Sequence, residues 1–236
     1  MNRHAQALVM FLLGVAVLHA GYTPLYARYV KSGLRPLLLA AGAVLIVTAL
    51  ATVWTSRRGR PVHEGHEAHG HGHGGPRIGW LLTLPFLALL LVAPPSLGAY
   101  SADRTGTALA PPPGFTALPA SGPLRLGLVD YAGRAVYDHG RLLAGRSITI
   151  TGFISLEDGA AYLTRMVLNC CAADAQPVKV GLSGTLPPVL RSDTWLEVTG
   201  SYVAEQAKDP VNGAPIPYLN VSQARPVPTP KDPYES

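Results

Sequence analysis

The chain contains two groups of residues whose types and spacing suit metal chemistry. The first is a run of five histidines within residues 63–73, separated by glycine, alanine and glutamate. Neutral imidazole is a common ligand for zinc and also suits copper and nickel. The dense spacing therefore favours a ligand cluster for a transition metal, whose members are His63, His66, His69, His71 and His73.

The backbone of this histidine run is predicted to be loose. Glycines stand at positions 65, 70, 72, 74 and 75, and no cysteine accompanies the histidines. Because ordering such a chain costs conformational entropy, the run suits capture or sensing of a metal better than a rigid structural or catalytic site. The alternative is a solvated linker of biased composition that does not handle metal.

The second group contains the only two cysteines of the chain, Cys170 and Cys171, followed by Asp174. Neighbouring residues on a strand point to opposite faces, and their Cα atoms lie about 3.8 Å apart, below the usual range for a disulfide. In a loop both sulfurs can turn to one side, and the carboxylate of Asp174 completes a site for zinc or copper, or the thiols form a redox pair. The alternative is one core cysteine, one half-exposed cysteine and an aspartate in a turn, and chemistry alone does not separate these interpretations.

An enzymatic role is not predicted from the thiols. A cysteine nucleophile needs a base, and His139 is the sole candidate in this half of the chain. We therefore expect a binding protein, with zinc as the candidate ion and no catalytic residues.

Three apolar segments indicate a membrane protein. Hydrophobic residues make up 48% of the chain and charged residues only 14%. Residues 6–20, 36–54 and 78–94 are each predicted to form a transmembrane helix, and the second is the strongest because a spanning helix needs about 20 apolar residues. The first segment has a cleaved signal peptide as its alternative, and the third, which contains Pro85, has a buried core helix.

The positive charge of the chain belongs to its N-terminal part. Lys and Arg outnumber Asp and Glu by 8 to 2 through Arg77, but stand at 11 to 12 from Ser101 onwards. This distribution disfavours nucleic-acid binding and instead orients the predicted spans. It predicts a multi-pass protein of the cell membrane, with the N-terminus and the histidine run in the cytoplasm and the C-terminal part outside. The basic residues on the predicted inner side are Arg3, Arg57, Arg58, Arg60 and Arg77, against Arg28, Lys31 and Arg35 on the outer side.

The sequence divides into four predicted regions. A membrane domain covers residues 1–98, with the histidine-rich loop at 61–76, and the Pro- and Gly-rich residues 99–123 read as a linker that does not pack. A β domain covers residues 124–228 and a tail 229–236. Within the β domain, residues 130–145 predict a short helix that ends at a glycine.

Five strands are predicted in the β domain, at residues 147–155, 162–169, 177–182, 194–203 and 218–224. Five strands in so short a segment favour a small OB-like β-barrel, with an SH3-like barrel or a small sandwich as alternatives. Gly152 and Gly200 stand where strongly curved strands need a bend or a bulge. The predicted fold class is therefore an α+β membrane protein, with three N-terminal helices followed by this barrel.

Several motifs of the β domain resemble those of a known family. The segments TGFI, LTRMVLNCCAADAQPV and WLEVTGSY, together with the N-terminal apolar spans, resemble the YcgQ-like family of permease subunits. Members are bacterial membrane proteins that are generally paired with a larger permease, and some are associated with zinc-responsive systems. The resemblance implies an accessory role beside that permease, with the CCAADA segment as the functional patch. It does not extend to the histidine run.

Together these features predict an accessory subunit of a membrane permease, connected with zinc or another divalent transition metal. Its expected partners are a larger permease subunit and the lipid bilayer. Two other hypotheses remain open: a membrane-anchored thiol or redox protein that uses the adjacent cysteines, and a non-catalytic membrane scaffold with an inert histidine-rich linker.

Overall fold

The computed structural model describes residues 3–58, 88, 95–157 and 159–235. These residues form two compact units. One comprises Met1–Tyr26 with Ser32–Pro95, and the other comprises Ala27–Lys31 with Ser96–Ser236. A short part of the N-terminal region, residues 27–31, thus belongs to the same unit as the C-terminal half of the chain.

The first unit is built on two apolar helices, α1 (Arg3–Tyr22) and α2 (Arg35–Arg57). Proline in the first turn of α2 fits its start, because that position needs no backbone N–H. Glycines let the two helices approach closely. A Cβ on Gly14 would lie 2.7 Å from Cγ1 of Ile46, and a Cβ on Gly42 would lie 2.9 Å from the side chain of Leu18.

One helix of the described residues is long and apolar enough to cross a membrane. It covers Ser32–Arg57, with a mean hydropathy of 2.4 over its most apolar window, while the apolar helix over Gln6–Tyr22 is shorter. Several large apolar side chains are exposed along it, among them Leu37, Val47 and Trp54. Near an N-terminus a signal sequence has the same length and composition, so this helix gives weak support to membrane association. Three spans are not confirmed, since the described residues include only Ala88 of the predicted third span, 78–94.

The second unit contains the closed five-stranded β-barrel that the sequence predicts. Its strands follow the order β2-β5-β6-β4-β3, and β3 pairs again with β2 to close the barrel. The pair β4–β6 is parallel, and the other barrel pairs are antiparallel. The five barrel strands are β2 (Ile148–Glu157), β3 (Ala160–Val167), β4 (Gln176–Gly184), β5 (Trp195–Lys208) and β6 (Pro215–Pro226).

Two glycines allow the barrel to curve. Strand β2 pairs with β5 in its first half and with β3 in its second half, and Phe153 takes part in both pairings. Next to it, a Cβ on Gly152 would lie 2.7 Å from the backbone oxygen of Thr164. In β5 the register shifts between Thr199 and Gly200. Both positions agree with the bends that the sequence predicts.

Short elements flank the barrel. Strand β1 (Leu124–Arg125) pairs in parallel with β2, and β7 (Tyr234–Glu235) pairs in parallel with β3. Helix α4 (Leu128–Tyr137) corresponds to the short helix that the sequence predicts, and its Tyr131 hydroxyl donates to the backbone oxygen of Tyr218 over 2.6 Å. Its N-terminus is capped from the end of the chain, because Glu235 accepts hydrogen bonds from the N–H groups of Leu128 and Val129. The predicted tail is therefore part of the folded unit.

Residues 99–123, predicted from their composition to be an unpacked linker, lie against the barrel instead. The segment begins with a short helix, α3 (Ala99–Ala102), which is buried at Ala99 and Ala102. Further along, Ala108 N–H donates to the backbone oxygen of Pro177 over 2.8 Å, and Leu109 belongs to the main hydrophobic core. Proline and glycine restrict which conformation the backbone takes, but they do not prevent it from packing where hydrogen-bond partners are provided.

Candidate metal centre

The two cysteines and Asp174 lie in the loop that connects β3 with β4. The chain leaves β3 at Val167, passes through the thiols, forms a short 3-10 helix over Ala172–Asp174, and enters β4 at Gln176. One ligand atom from each of Cys170, Cys171 and Asp174 can be chosen so that all three lie within 4.8 Å of one another. The structure therefore brings together the three C-terminal residues that the sequence singled out.

Asp174 folds this loop back on itself. Its Oδ2 accepts a hydrogen bond from the N–H of Cys170 over 2.9 Å, and its Oδ1 accepts one from the N–H of Asn169 over 3.1 Å. Short polar side chains commonly stabilise turns in this way. Because the turn replaces the alternation of a strand, the side chains of two adjacent cysteines can approach the same carboxylate.

The carboxylate of Asp174 and the thiol of Cys170 shift one another's pKa in opposite directions. Hydrogen bonding to Asp174, and secondarily to Cys171, raises the pKa of Cys170 to about 11. Conversely, the hydrogen bond from the Cys170 thiol lowers the pKa of Asp174, and the N–H of Cys170 adds to that effect. The pair is therefore a neutral Cys170 thiol that donates to an ionised Asp174 carboxylate. A bound metal would replace the proton of that thiol.

This donor set fits a borderline-soft divalent ion. Thiolate sulfur and carboxylate oxygen are both established zinc ligands, and sulfur disfavours magnesium or calcium. Cys170 is exposed, and Cys171 and Asp174 are partly exposed. Structural zinc sites are usually closed by four protein ligands, whereas three ligands at a surface leave a coordination position for water or for a ligand from another molecule. The arrangement thus suits reversible binding of an ion.

The five histidines of the predicted cluster, His63, His66, His69, His71 and His73, lie outside the described residues. Their ligand role therefore remains a prediction from composition. Among the described residues, Cys170, Cys171 and Asp174 form the one group of three or more candidate ligands that is close enough to hold an ion.

A buried ion network was not anticipated from the sequence. Lys179 on β4 has a completely buried side chain, and its Nζ lies 2.6 Å from Glu157 Oε1 and 3.1 Å from Asp209 Oδ2. Burial raises the pKa of Asp209, but hydrogen bonds from the N–H groups of Thr107 and Val211, together with Lys179, outweigh it and hold that pKa below its ordinary value. Because Thr107 bonds both Asp209 and the N–H of Lys179, the network attaches the segment before β1 to the barrel. Its only sequence signal was a lysine between valines, in PVKVGL.

A second buried cation lies in the segment that carries the family resemblance. Arg165 stacks over the ring of Trp195, 5.0 Å from its centroid, and its Nε lies 3.2 Å from Glu235 Oε1. Burial lowers the pKa of Arg165, and the charge of Glu235 opposes that shift. Because these contacts join β3, β5 and β7, the arginine is placed to stabilise the barrel beside the thiol loop rather than to bind a metal.

The comparisons with known proteins concern this same part of the chain. Residues 131–235 match a family model described as the DUF1980 C-terminal domain. The match covers the barrel, most of α4 and the thiol loop, but less than half of the chain. No curated protein and no solved structure matches. A DUF1980 C-terminal domain is thus found in this chain, which is consistent with the YcgQ-like resemblance.

Proposed function

We propose that this protein is an accessory subunit of a membrane permease, connected with zinc or another divalent transition metal. Cys170, Cys171 and Asp174 bind the ion reversibly on the barrel. The observation that carries the proposal is the convergence of two thiols and a carboxylate within 4.8 Å at an accessible loop. The apolar helices associate with the bilayer and with the larger permease subunit.

The structure supports a binding role more than a transport path. The described residues contain one helix that is long and apolar enough to cross a membrane, and even three spans are few for a transporter by itself. The barrel, which we interpret as OB-like, is one of several small folds that present ligands at their loops. In the proposal it holds the ion near the permease, while the histidine run collects metal in the cytoplasm.

The test is a zinc titration of the detergent-purified full-length protein, with the bound ion counted by elemental analysis. We expect the zinc held by the thiol site to be lost when both cysteines are replaced by serine, while zinc held by the histidine run remains. Ser keeps the size of the side chain but is a poor ligand for a borderline-soft ion. The conservative Glu205→Gln variant removes an exposed carboxylate on β5 and serves as the matched control, which should bind as the wild type does.

The histidine run is tested in the same assay by deleting residues 63–73. Loss of part of the bound zinc would support a collecting role, and unchanged binding would favour the inert linker. Zinc bound equally by the wild type and by the double-serine variant would refute the thiol site.

A thiol or redox enzyme is the second hypothesis, and its support is the close approach of two free thiols. Reactive cysteines generally have a lowered pKa, however, whereas that of Cys170 is raised to about 11. Labelling of the thiols in cells discriminates between the two. Reversible oxidation that follows turnover would favour the redox hypothesis, and thiols that stay reduced and become protected by zinc would favour metal binding.

A further inference from the structure

The segment between α1 and α2 is hydrogen-bonded along the thiol loop. Ala172 N–H donates to the backbone oxygen of Tyr29 over 2.8 Å, and Lys31 N–H donates to the backbone oxygen of Cys170 over 3.1 Å. Between these two bonds, Val30 and Cys171 form an antiparallel β-bridge. The backbone on each side of Cys171 is therefore held by residues that are far away in sequence.

Tyr234 fixes the same segment from another side. Its hydroxyl donates to the backbone oxygen of Arg28 over 3.4 Å and accepts from the N–H of Leu97 over 3.0 Å. Tyr234 lies on β7 and pairs with Met166 on β3, the strand that leads into the thiol loop. Residues 28–31 are thus attached directly to the loop, and through Tyr234 to the strand that precedes it.

Resting on the proposed metal site, we infer that residues 28–31 are a positioning element of that site, and that metal binding is linked through them to the connection between α1 and α2. Metal ligands must be held to within a few tenths of an ångström, and the surrounding hydrogen bonds set their positions. The bonds to Cys170 O and Ala172 N lie directly beside the two thiol-bearing residues. An ion that tightens the loop must also stabilise the bridge, and the bridge must strengthen ion binding by the same factor.

This link connects the proposed metal site with the apolar helix α2. Residues 28–31 continue directly into the 3-10 helix Ser32–Leu34 and then into α2. A change in the thiol loop on metal binding is therefore passed to the segment that precedes an apolar helix. An accessory subunit needs such a connection if it is to signal its metal-bound state to a partner.

The first experiment compares Lys31→Pro with Lys31→Ala in the full-length protein in detergent. Proline removes the N–H that bonds Cys170 O, while alanine keeps that N–H and removes only the side chain. We expect Lys31→Pro to weaken zinc affinity about tenfold, which is the lower end of the range for loss of a supporting hydrogen bond. We expect Lys31→Ala to leave zinc affinity unchanged. Equal affinities for the two variants would overturn the inference.

The second experiment needs no change at the bridge and remains valid if Lys31→Pro does not fold. Hydrogen exchange of wild-type backbone amides is measured with and without zinc, and the double-serine variant of the cysteines is the control. We expect zinc to slow exchange at Lys31 and Ala172 in the wild type only. Zinc that is lost on replacing both cysteines, but that slows neither amide in the wild type, would overturn this inference and leave the proposed function intact. Zinc bound equally by the wild type and the double-serine variant, or no zinc binding at all, would overturn both.

Discussion

At the level of single residues, the ion network around Lys179 carries more negative than positive charge. Asp103, Glu157 and Asp209 all contribute carboxylates, and Asp103 Oδ1 and Glu157 Oε2 are buried without a hydrogen-bond partner. Burial, followed by the charge of Glu157, raises the pKa of Asp103. The protonated carboxyl group of Asp103 can donate a hydrogen bond to Glu157, so the folded protein holds the proton of Asp103 more tightly than the unfolded chain does.

We predict that Asp103→Asn stabilises the protein at neutral pH. The amide of asparagine can donate to Glu157 without a titrating proton, and it removes one of the like charges. The gain should be about 1 kcal/mol, the value of one hydrogen bond, or roughly 2–4 °C in the midpoint of thermal unfolding. Thermal unfolding of the full-length protein in detergent measures it.

The pH dependence of this gain follows from the direction of the shift. Because the pKa of Asp103 is raised in the folded state, its stabilising contribution is complete when the group is protonated and is lost as the pH rises through the raised value. The advantage of Asp103→Asn should therefore disappear near about pH 4, the ordinary range of an aspartate. Glu157→Gln is the contrasting variant, because it removes a partner of Lys179 and should cost about 1–3 kcal/mol. A gain for Asp103→Asn that did not depend on pH would contradict the raised pKa of Asp103.

At the level of the elements, the bulge in β5 depends on Gly200. A Cβ at this position would lie 2.3 Å from the backbone oxygen of Asn220 on β6, so the clash cannot be relieved by a side-chain rotation. We predict that Gly200→Ala lowers the free energy of unfolding by about 1–3 kcal/mol, the usual cost of overpacking. Gly114→Ala, where no atom lies within 4 Å, is the control and should be neutral. Equal effects of the two substitutions in denaturant unfolding would show that the bulge is not needed.

The pairing of α1 with α2 is predicted to depend on Gly14. A Cβ there would lie 2.7 Å from Ile46 Cγ1 and 3.0 Å from the backbone oxygen of Gly42, which cannot move away easily. Gly14→Val should therefore separate the helices and reduce oxidative cross-linking between cysteines placed at positions 7 and 49, two buried alanines that line one cavity.

This cross-linking requires the native cysteines to be replaced by serine, so that only the introduced pair reacts. Gly33→Ala, in open space outside both helices, is the control. Undiminished cross-linking in Gly14→Val would mean that the helices do not rely on this glycine.

The sequence predicts the individual strands and helices better than the contacts between segments that are distant in the chain. All five barrel strands were found, since their apolar residues alternate and turn residues separate them. The contact of residues 28–31 with the thiol loop was not predictable, because it joins backbone groups about 140 residues apart and leaves no side-chain pattern. The packing of residues 99–123 was missed for a related reason. Its hydrogen bonds also join backbone groups, and the proline-rich composition of this segment predicts a linker instead of a packed segment.

The candidate site was predicted in composition but not in geometry. Residue types singled out Cys170, Cys171 and Asp174, yet only the turn made by Asp174 decides that the two sulfurs approach one carboxylate. A sequence does not specify on which side of a strand end adjacent cysteines lie. The charged residues of the Lys179 network stayed hidden because they come from four separate segments.

At the level of the whole molecule, the bridge between Val30 and Cys171 restricts the membrane topology. Residues 27–31 and the barrel belong to one compact unit, so they must lie on the same side of a bilayer. If α2 crosses the membrane, the chain has to cross it an even number of times between Lys31 and Ser96. The predicted three-span arrangement meets this condition, and in that prediction the histidine run and the thiols lie on opposite sides.

The last prediction tests this topology by thiol labelling with a membrane-impermeant maleimide in intact cells. After zinc has been removed with a chelator, we expect the exposed Cys170 of the wild type to react without permeabilisation, since the basic residues predict that the barrel lies outside. In a background where both native cysteines are serine, Gly33→Cys should react in the same way, and Gly72→Cys in the histidine run should react only after permeabilisation.

Each pattern of labelling has a distinct meaning. Protection of Cys170 and Gly33→Cys with labelling of Gly72→Cys would reverse the orientation but keep the even number of crossings. Labelling of all three positions from one side would exclude α2 as a membrane span, because position 72 follows that helix directly. Opposite behaviour of Cys170 and Gly33→Cys would contradict the bridge itself, since two backbone segments joined by hydrogen bonds cannot lie on opposite sides of a membrane.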